Sequence, residues 1–218
     1  KALASLRKKV DLVAFGESYL QGFNSLKWNF ERDRTVAVSV DSQPIKMLRY
    51  TAKKYSVAVS FGYYELCDEA IYSSYMFIGK NGEIVNNFRR VSKGWKEYDI
   101  TDEHYKEGDG FKTFTYMGKR IALAVCGDLW YEENIEQINK EKFDFLLYPV
   151  YVTYNTEMWR TKLVNEYAEQ AKKIPRPVFL VNSICDADNT RGGCYAFLNG
   201  KTVCEVPMGQ DGYLLVRV

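Results

Sequence analysis

The chain has 218 residues, 46% of them hydrophobic, so it is long enough and apolar enough to bury a sizeable core. Its formal net charge of +2, without a basic stripe, argues against a nucleic-acid-binding protein. No apolar run reaches the roughly 18–20 residues of a membrane-spanning helix, and segment 1–9 lacks the apolar stretch of a signal peptide.

The first half of the chain predicts helices and strands that alternate. In chain order they are a helix over 2–9, a strand Val10–Phe15, a candidate strand Val36–Val40, a helix Pro44–Lys54, a strand Val57–Phe61, and a hairpin of Ser73–Ile78 and Ile84–Arg89. The strand that starts at Val57 is expected to end at Gly62. The hairpin prediction depends on the glycine-containing turn 79–82 between its two strands.

The second half predicts the same mixture of elements. In chain order they are a strand pair Phe111–Tyr116 and Ile121–Val125, a helix over 132–142, a strand Phe143–Val150, a helix Glu157–Lys173, a strand Pro175–Asn182, a hairpin of Cys194–Leu198 and Thr202–Val206, and a closing strand Tyr213–Val218. Helix–strand units mixed with hairpins predict an α/β sandwich with mixed sheets. Because no repeat or linker interrupts the pattern, we expect one domain over residues 1–218.

The cysteine and histidine content limits the chemistry. The chain has five cysteines and no Cys-x-x-Cys pair, which favours reduced thiols in a reducing compartment, and we expect the cytoplasm. The single histidine, His104, and the scattered cysteines give no metal-ligand spacing, so we expect no metal site.

Three predicted strand ends carry residues that can do chemistry. Glu17 follows the first strand, where it is either a general base or a solvated loop residue. Arg89 and Arg90 end the first hairpin and provide fixed cations, or else form a surface pair. Cys126 ends an apolar strand beside Gly127, whose small size leaves room for a substrate carbonyl. That cysteine is either a nucleophile or a buried structural thiol.

The order of these segments resembles the nitrilase superfamily of carbon–nitrogen hydrolases, and the resemblance runs over nearly the whole chain. The segments that carry it are Asp11–Phe23 around Glu17, the hairpin Tyr72–Arg90, the cysteine segment Val125–Trp130, the strand Asp144–Pro149 with the later Trp159, and the late strand Val178–Asn182.

The resemblance implies a four-layer αββα sandwich of the nitrilase type and a Glu–Lys–Cys triad, which explains why no histidine is needed. Glu17 would deprotonate Cys126, and the thiolate would attack the carbon of a small-molecule amide or nitrile. A cation and the backbone amide after the cysteine would stabilise the oxyanion. We expect no cofactor, and a homo-oligomer such as a homodimer. The family's first strand is missing from the N-terminus of the given sequence.

The chain departs from the family pattern at the catalytic lysine. Arg90 occupies that position, and a guanidinium keeps its charge and cannot relay a proton. Lys93 is the alternative cation. The family's second, supporting glutamate corresponds to Glu103, at close to the usual spacing before Cys126, or alternatively to Glu97. From the sequence alone, Arg90→Lys is expected to be tolerated.

Two classes of function therefore stay open: an amide-hydrolysing enzyme, and a catalytically silent relative that binds a small molecule or a partner. The aromatic residues Tyr19, Trp130 and Tyr151, which flank the motifs, are candidates for the substrate pocket. The alternative is that a chain with 17 tyrosines places some of them near any strand end. Asp128 is expected to accept backbone hydrogen bonds at the turn after Cys126 and not to act as a base.

Overall fold

The structure, a computed structural model, describes residues 2–186 and 189–218. The chain divides into two compact units, Lys1–Gly108 and Asp109–Val218. The single domain predicted over residues 1–218 stays a prediction. Within the part of the chain that the structure describes, no helix is both long and apolar enough to cross a bilayer.

The first unit is built on a four-stranded sheet. Its elements are α1 (Ala2–Leu6), β1 (Leu12–Ala14), a 3₁₀-helix (Phe23–Ser25), α2 (Phe30–Asp33), α3 (Gln43–Tyr55), β2 (Ala58–Cys67), β3 (Ala70–Ile78) and β4 (Ile84–Arg89). The strands follow the order β1-β2-β3-β4, with β1 parallel to β2 and the other neighbours antiparallel. The parallel pairing brings the end of β1, Ala14, beside Ser60 near the start of β2.

Helix α3 covers one face of this sheet. It begins after Ser42 with Pro44 in its first turn, where the missing N–H costs no helical hydrogen bond. It ends at Tyr55. The next residue, Ser56, has a φ of 53°, the left-handed conformation common at helix ends. Ile45 and Ala52 are fully buried on the same side of the helix and pack in one cluster with the apolar side chains of β2 and β3.

The second unit contains a six-stranded mixed sheet. Its elements are β5 (Phe114–Tyr116), β6 (Lys119–Leu123), a 3₁₀-helix (Cys126–Trp130), α4 (Glu132–Lys140), β7 (Phe145–Val150), α5 (Thr156–Met158), a π-helical turn (Trp159–Leu163), α6 (Val164–Lys172), β8 (Val178–Asn182), β9 (Ile184–Cys185), β10 (Thr190–Arg191), β11 (Cys194–Leu198) and β12 (Lys201–Val206). The order is β12-β11-β8-β7-β6-β5, with β6, β7 and β8 parallel. Strands β9 and β10 form a separate two-stranded ribbon.

Strand β7 and the buried end of β6 (residues 121–123) organise the core of this unit. All six residues of β7 are buried, as expected for a strand inside a parallel region. Helices α4 and α6 pack on the sheet through buried residues that include Ile138 and Tyr167. The carboxyl ends of β6 and β7 therefore lie together. Cys126 follows the last residue of β6, Leu123, after two intervening residues, Ala124 and Val125.

The structure confirms most predicted elements and corrects four. Both β-hairpins and the long helices are present within a few residues of their predicted bounds, but the first helix ends at Leu6. The strand from Val57 does not end at Gly62 and continues to Cys67, because glycine there admits a neighbouring backbone. Only Val38 of the candidate strand Val36–Val40 pairs, in a single bridge to β2.

The closing strand predicted over Tyr213–Val218 is wrong. These residues form no strand, and most of them are exposed. Leu215, Val216 and Val218 line a cavity of about 520 Å³ together with Phe179 of β8.

Candidate active site

Glu17 lies just after β1, and its side chain is only 1% exposed. Backbone hydrogen bonds hold this segment against β2. The N–H of Phe15 donates to the carbonyl of Ser60 at 2.8 Å, and the N–H of Gly62 donates to the carbonyl of Gly16 at 3.1 Å. The sequence therefore places a carboxylate in the interior at the end of a short strand, where β2 fixes its backbone.

Gly62 allows this close approach. A Cβ at position 62 would lie 2.3 Å from the backbone N of Ser18 and 2.7 Å from the Cα of Glu17, closer than real Cβ contacts. Ser18 itself has a φ of 50°, an uncommon conformation for a residue other than glycine. Below this segment, the Tyr75 hydroxyl donates to the carbonyl of Phe15 at 2.7 Å. The backbone around Glu17 is thus fixed from two sides.

Arg90 is the cation that contacts Glu17. Its Nη1 donates to Oε1 of Glu17 at 2.8 Å, its Nε donates to Oγ of Ser92 at 2.9 Å, and its Nη2 donates to the carbonyl of Lys93 at 3.2 Å. The backbone N–H of Arg90 donates to the carbonyl of Ser73 at 2.8 Å, which continues the pairing of β4 with β3. The side chain is 4% exposed.

The Glu17–Arg90 pair is a buried salt bridge, and its two charges compensate each other inside the unit. Removing one partner of such a pair typically costs about 3–5 kcal/mol, because an uncompensated charge is left buried. Buried charges are rare outside ion pairs and functional sites. The alternatives left open from the sequence, a solvated loop position for Glu17 and a surface position for Arg90, are therefore wrong.

A second buried carboxylate, Glu65 of β2, was not identified in the sequence. Arg89 binds it with two nitrogens, Nε to Oε2 at 2.9 Å and Nη2 to Oε1 at 2.8 Å, and Ser74 donates to it at 2.6 Å. These hydrogen bonds raise the pKa of Arg89, and its guanidinium stacks on the Tyr72 ring at 3.8 Å. The available signal was a glutamate inside an apolar strand together with a double arginine.

The other charged candidates lie at the surface of the first unit. Lys93 is exposed, with its Nζ 5.9 Å from the centroid of the Tyr98 ring. Glu97 and Glu103 are both exposed. Glu107, which the sequence analysis did not single out, accepts a hydrogen bond from Tyr98 at 2.6 Å and pairs with Lys96. The assignments of Lys93, Glu97 and Glu103 to site roles remain predictions.

Cys126 begins the 3₁₀-helix of the second unit, and its side chain is partly buried. Its φ of 46° lies in the left-handed region, which costs energy for a residue with a Cβ. The Tyr148 hydroxyl of β7 donates to the Cys126 carbonyl at 2.7 Å and fixes this turn. Strain of this kind at a potential nucleophile is typical of sites where the surrounding fold dictates the side-chain position.

Asp128 holds the turn that follows Cys126. Its carboxylate is fully buried, and Oδ2 accepts the backbone N–H of Val125 at 2.8 Å. Asn134 donates to the Asp128 carbonyl at 3.1 Å and links the turn to α4. The predicted acceptance of a backbone hydrogen bond by Asp128 is confirmed.

The aromatic candidates have different surroundings. Tyr19, 48% exposed, stacks on Phe15 with ring centroids 4.1 Å apart, and partial burial raises its pKa. Trp130, 41% exposed, packs edge-on against Tyr167 at 5.1 Å. Tyr151 is buried. Their assignment to a substrate pocket stays a prediction. Among residues 2–186 and 189–218, no group of three or more His, Cys, Asp or Glu side chains is arranged to hold a metal ion.

Comparison with known proteins identifies the family. The carbon-nitrogen hydrolase family model matches residues 1–218, and the chain therefore belongs to that family, which lies in the nitrilase superfamily. The resemblance stated from the motifs is confirmed.

Curated relatives are distant and longer. A cyanide hydratase of Gibberella zeae is 22% identical over 185 residues, which cover 78% of this chain and 51% of the relative. A bromoxynil-specific nitrilase of Klebsiella pneumoniae subsp. ozaenae is 27% identical over 138 residues, or 59% of this chain and 38% of the relative. A citrullinase of Francisella tularensis is 25% identical over 120 residues, or 52% and 41%. The chain spans about half the length of the curated relatives it matches, or less.

Solved structures share the fold. A carbon-nitrogen hydrolase from Helicobacter pylori G27 superimposes with a TM-score of 0.73 at 16% identity, covering 96% of this chain and 77% of that one. A mutant amidase from Nesterenkonia sp. AN1, with acrylamide added at its active-site cysteine, gives a TM-score of 0.71 at 12% identity, covering 95% and 80%. The predicted α/β sandwich of the nitrilase type is thereby confirmed.

Proposed function

We propose that this carbon–nitrogen hydrolase cleaves an amide-type, non-peptide bond of a small molecule through a thioester on Cys126. Glu17 is the general base, and Arg90 supplies the cation in place of the family's usual lysine. The observation that carries the proposal is the buried ion pair of Glu17 and Arg90, because it occupies the two positions at which the family motifs have a glutamate and a cation. The strained backbone of Cys126 is an independent support.

The reaction balances as two displacements at the substrate carbon. The Glu17 carboxylate takes the proton of the Cys126 thiol, and the thiolate forms a C–S bond while the carbonyl oxygen becomes an oxyanion. The Arg90 guanidinium and the backbone N–H of Gly127 stabilise that charge. Glu17 then protonates the leaving nitrogen, the C–N bond breaks, and ammonia or an amine departs. Water, deprotonated by Glu17, attacks the thioester, so that the acid leaves and the thiol is restored.

The substrate class is proposed from the names of the relatives. The relatives named above include proteins called a cyanide hydratase, a nitrilase, a citrullinase and an amidase, and one fold can host many substrates. We therefore propose a small amide, nitrile or ureido compound, with Tyr19, Trp130 and Tyr151 in the substrate pocket and Glu103 as the supporting glutamate.

We also propose one domain over residues 1–218, a homo-oligomer such as a homodimer, and a cytoplasmic location.

A panel of small amides, nitriles and ureido compounds tests the proposal by release of ammonia or amine. The wild-type chain is expected to turn over at least one compound, and Cys126→Ala to turn over none. Glu17→Gln is expected to lose at least about 10²-fold in rate, the lower range for a general base. Cys204→Ala, which removes an exposed thiol, is the matched control and should keep the wild-type rate. Undiminished turnover by Cys126→Ala contradicts the mechanism.

The second candidate function is a catalytically silent relative that binds a small molecule. The observation that favours it is the arginine at the lysine position, because a guanidinium cannot relay a proton. A wild-type chain that turns over no compound of the panel, and that still gains thermal stability from one of them, supports this candidate instead.

A further inference from the structure

Arg90 is either a substitution that impairs the catalytic position or a residue that the surrounding loop is adapted to hold. Its guanidinium is almost completely buried, and three of its nitrogens meet three different acceptors. The first is the Glu17 carboxylate. The other two, the Ser92 hydroxyl and the Lys93 carbonyl, both belong to the loop that immediately follows β4.

We infer that Ser92 is a positioning residue that adapts this site to a guanidinium, so that arginine and not lysine is the required cation. The inference rests on the proposed function for its consequence in catalysis, and on the geometry of Arg90 alone for its structural part.

The three acceptors surround a planar fork. Nε points to Ser92, Nη1 to Glu17 and Nη2 to Lys93, so that each contact uses a different nitrogen of the rigid group. A lysine has one nitrogen, whose donors diverge from a single point on a flexible stem. It cannot keep all three contacts with the backbone unchanged. Charge is therefore conserved by Arg90→Lys, but the hydrogen bonds of the loop are not.

The loop supports this arrangement at both ends. The Arg90 backbone is fixed at β3 through its N–H bond to the Ser73 carbonyl. Beyond Lys93, Gly94 has a φ of 91°, a conformation that residues with a side chain rarely adopt. A Cβ at position 94 would lie 4.0 Å from Nη2, in ordinary contact, so the glycine serves the turn and not the space around the guanidinium. The turn directs the Lys93 carbonyl back toward Arg90.

Ser92 is 3% exposed, so its hydroxyl meets the guanidinium away from bulk water. Hydrogen bonds to charged groups in such surroundings are stronger than those between neutral groups. The expected role of Ser92 is to fix the rotation of the fork about Nε, so that Nη1 stays directed at Glu17. Ser92 does not itself touch the reacting atoms, and its effect on the rate is transmitted through Arg90.

The structural part is tested by side-chain NMR of the ¹⁵N-labelled full chain. The Arg90 Nε–H signal is identified as the one missing from the spectrum of Arg90→Lys. In Ser92→Ala, this proton is expected to exchange with water at least about tenfold faster, because it has lost a buried, charge-assisted acceptor. Ser74→Ala is the matched control, since it removes a buried hydroxyl from the neighbouring Glu65–Arg89 pair. Unchanged exchange in Ser92→Ala overturns the inference.

The catalytic part is measured on whichever panel compound the wild type cleaves. Arg90→Lys is expected to lower kcat about tenfold or more, and Ser92→Ala to lower kcat by more than it changes KM. A rate for Arg90→Lys equal to or above that of the wild type overturns the requirement for a guanidinium. If the wild type cleaves nothing, the proposed function fails, while the exchange measurement still decides whether Ser92 positions Arg90.

Discussion

At the scale of single residues, the candidate site depends on charged groups that are buried and compensated. Glu17 and Arg90 compensate each other in a direct ion pair. Arg89, the residue before Arg90, forms a second ion pair with Glu65. Arg89 is the last residue of β4 and Arg90 is the first residue after it, and the two bind different carboxylates. The double arginine in the sequence is therefore not redundant.

Asp128 gives a prediction at this scale. Asp128→Asn is expected to lower the free energy of unfolding by about 1–3 kcal/mol, because the buried acceptor of the Val125 N–H loses its charge. The rate per folded molecule is expected to stay at the wild-type value, since the residue holds a turn. Urea denaturation and active-site titration measure the two quantities separately. A loss of rate at full stability would make Asp128 a participant in the chemistry.

At the scale of elements, Gly62 allows the segment after β1 to pack closely against β2. Gly62→Ala is expected to cost about 1–3 kcal/mol, the range for overpacking, because its Cβ meets the backbone of Ser18 and Glu17. The rate per folded molecule should also fall, since the backbone that shifts carries Glu17. Gly79→Ala is the control, because the three atoms nearest to its Cβ all belong to the end of the flexible Glu83 side chain. Equal unfolding free energies for the two variants contradict this account.

The amino-acid sequence predicts the secondary-structure elements better than it predicts the polar contacts. Hairpins and long helices were predicted because local turns and apolar periodicity determine them. The extension of β2 beyond Gly62 was missed because the reason for that glycine is a neighbouring segment distant in sequence. Glu65 was missed for a similar reason, since its partner Arg89 lies two strands away in the chain order of the sheet. The strand predicted over Tyr213–Val218 failed because an apolar pattern does not specify backbone pairing.

Helix α2 supplies a second prediction for an element, through Asp33. The carboxylate is fully buried and accepts hydrogen bonds from the backbone N–H groups of Lys27 and Trp28, from Arg32 and from the Tyr105 hydroxyl. Burial alone would raise the pKa of Asp33, but these hydrogen bonds together outweigh burial and lower its pKa. The Asp33 carboxylate therefore joins α2 to the loop before that helix and to Tyr105.

The sign of the pH dependence follows from that lowered pKa. Asp33 stabilises the fold above the unfolded-state pKa of about 4, and this contribution is lost as the pH falls through the lower folded-state pKa. Asp33→Asn is thus expected to destabilise the chain by about 1–3 kcal/mol near neutral pH and by less in acid. Urea denaturation at several pH values measures the difference, with the exposed Asp41→Asn as control. A difference from the wild type that does not shrink in acid would contradict this role.

At the scale of the whole molecule, the five cysteines differ in how far the fold buries their thiols. Cys204 is exposed, whereas burial raises the pKa of the Cys194 thiol. Cys126 is partly buried, so exposure alone predicts that Cys204 reacts before it. The proposed base predicts the reverse order, because the thiolate and not the thiol is the nucleophile.

Limited alkylation with iodoacetamide near pH 7, followed by peptide mass spectrometry, separates these two orders on one sample of the full chain. We expect Cys126 to react about three- to tenfold faster than Cys204, since the proposed base takes the proton of Cys126 as its sulfur attacks the reagent. Glu17→Gln should slow Cys126 and leave Cys204 unchanged, so the exposed thiol serves as the internal control. If Cys204 reacts first and Glu17→Gln changes neither rate, Cys126 is a structural thiol and the silent relative becomes the better account of this chain.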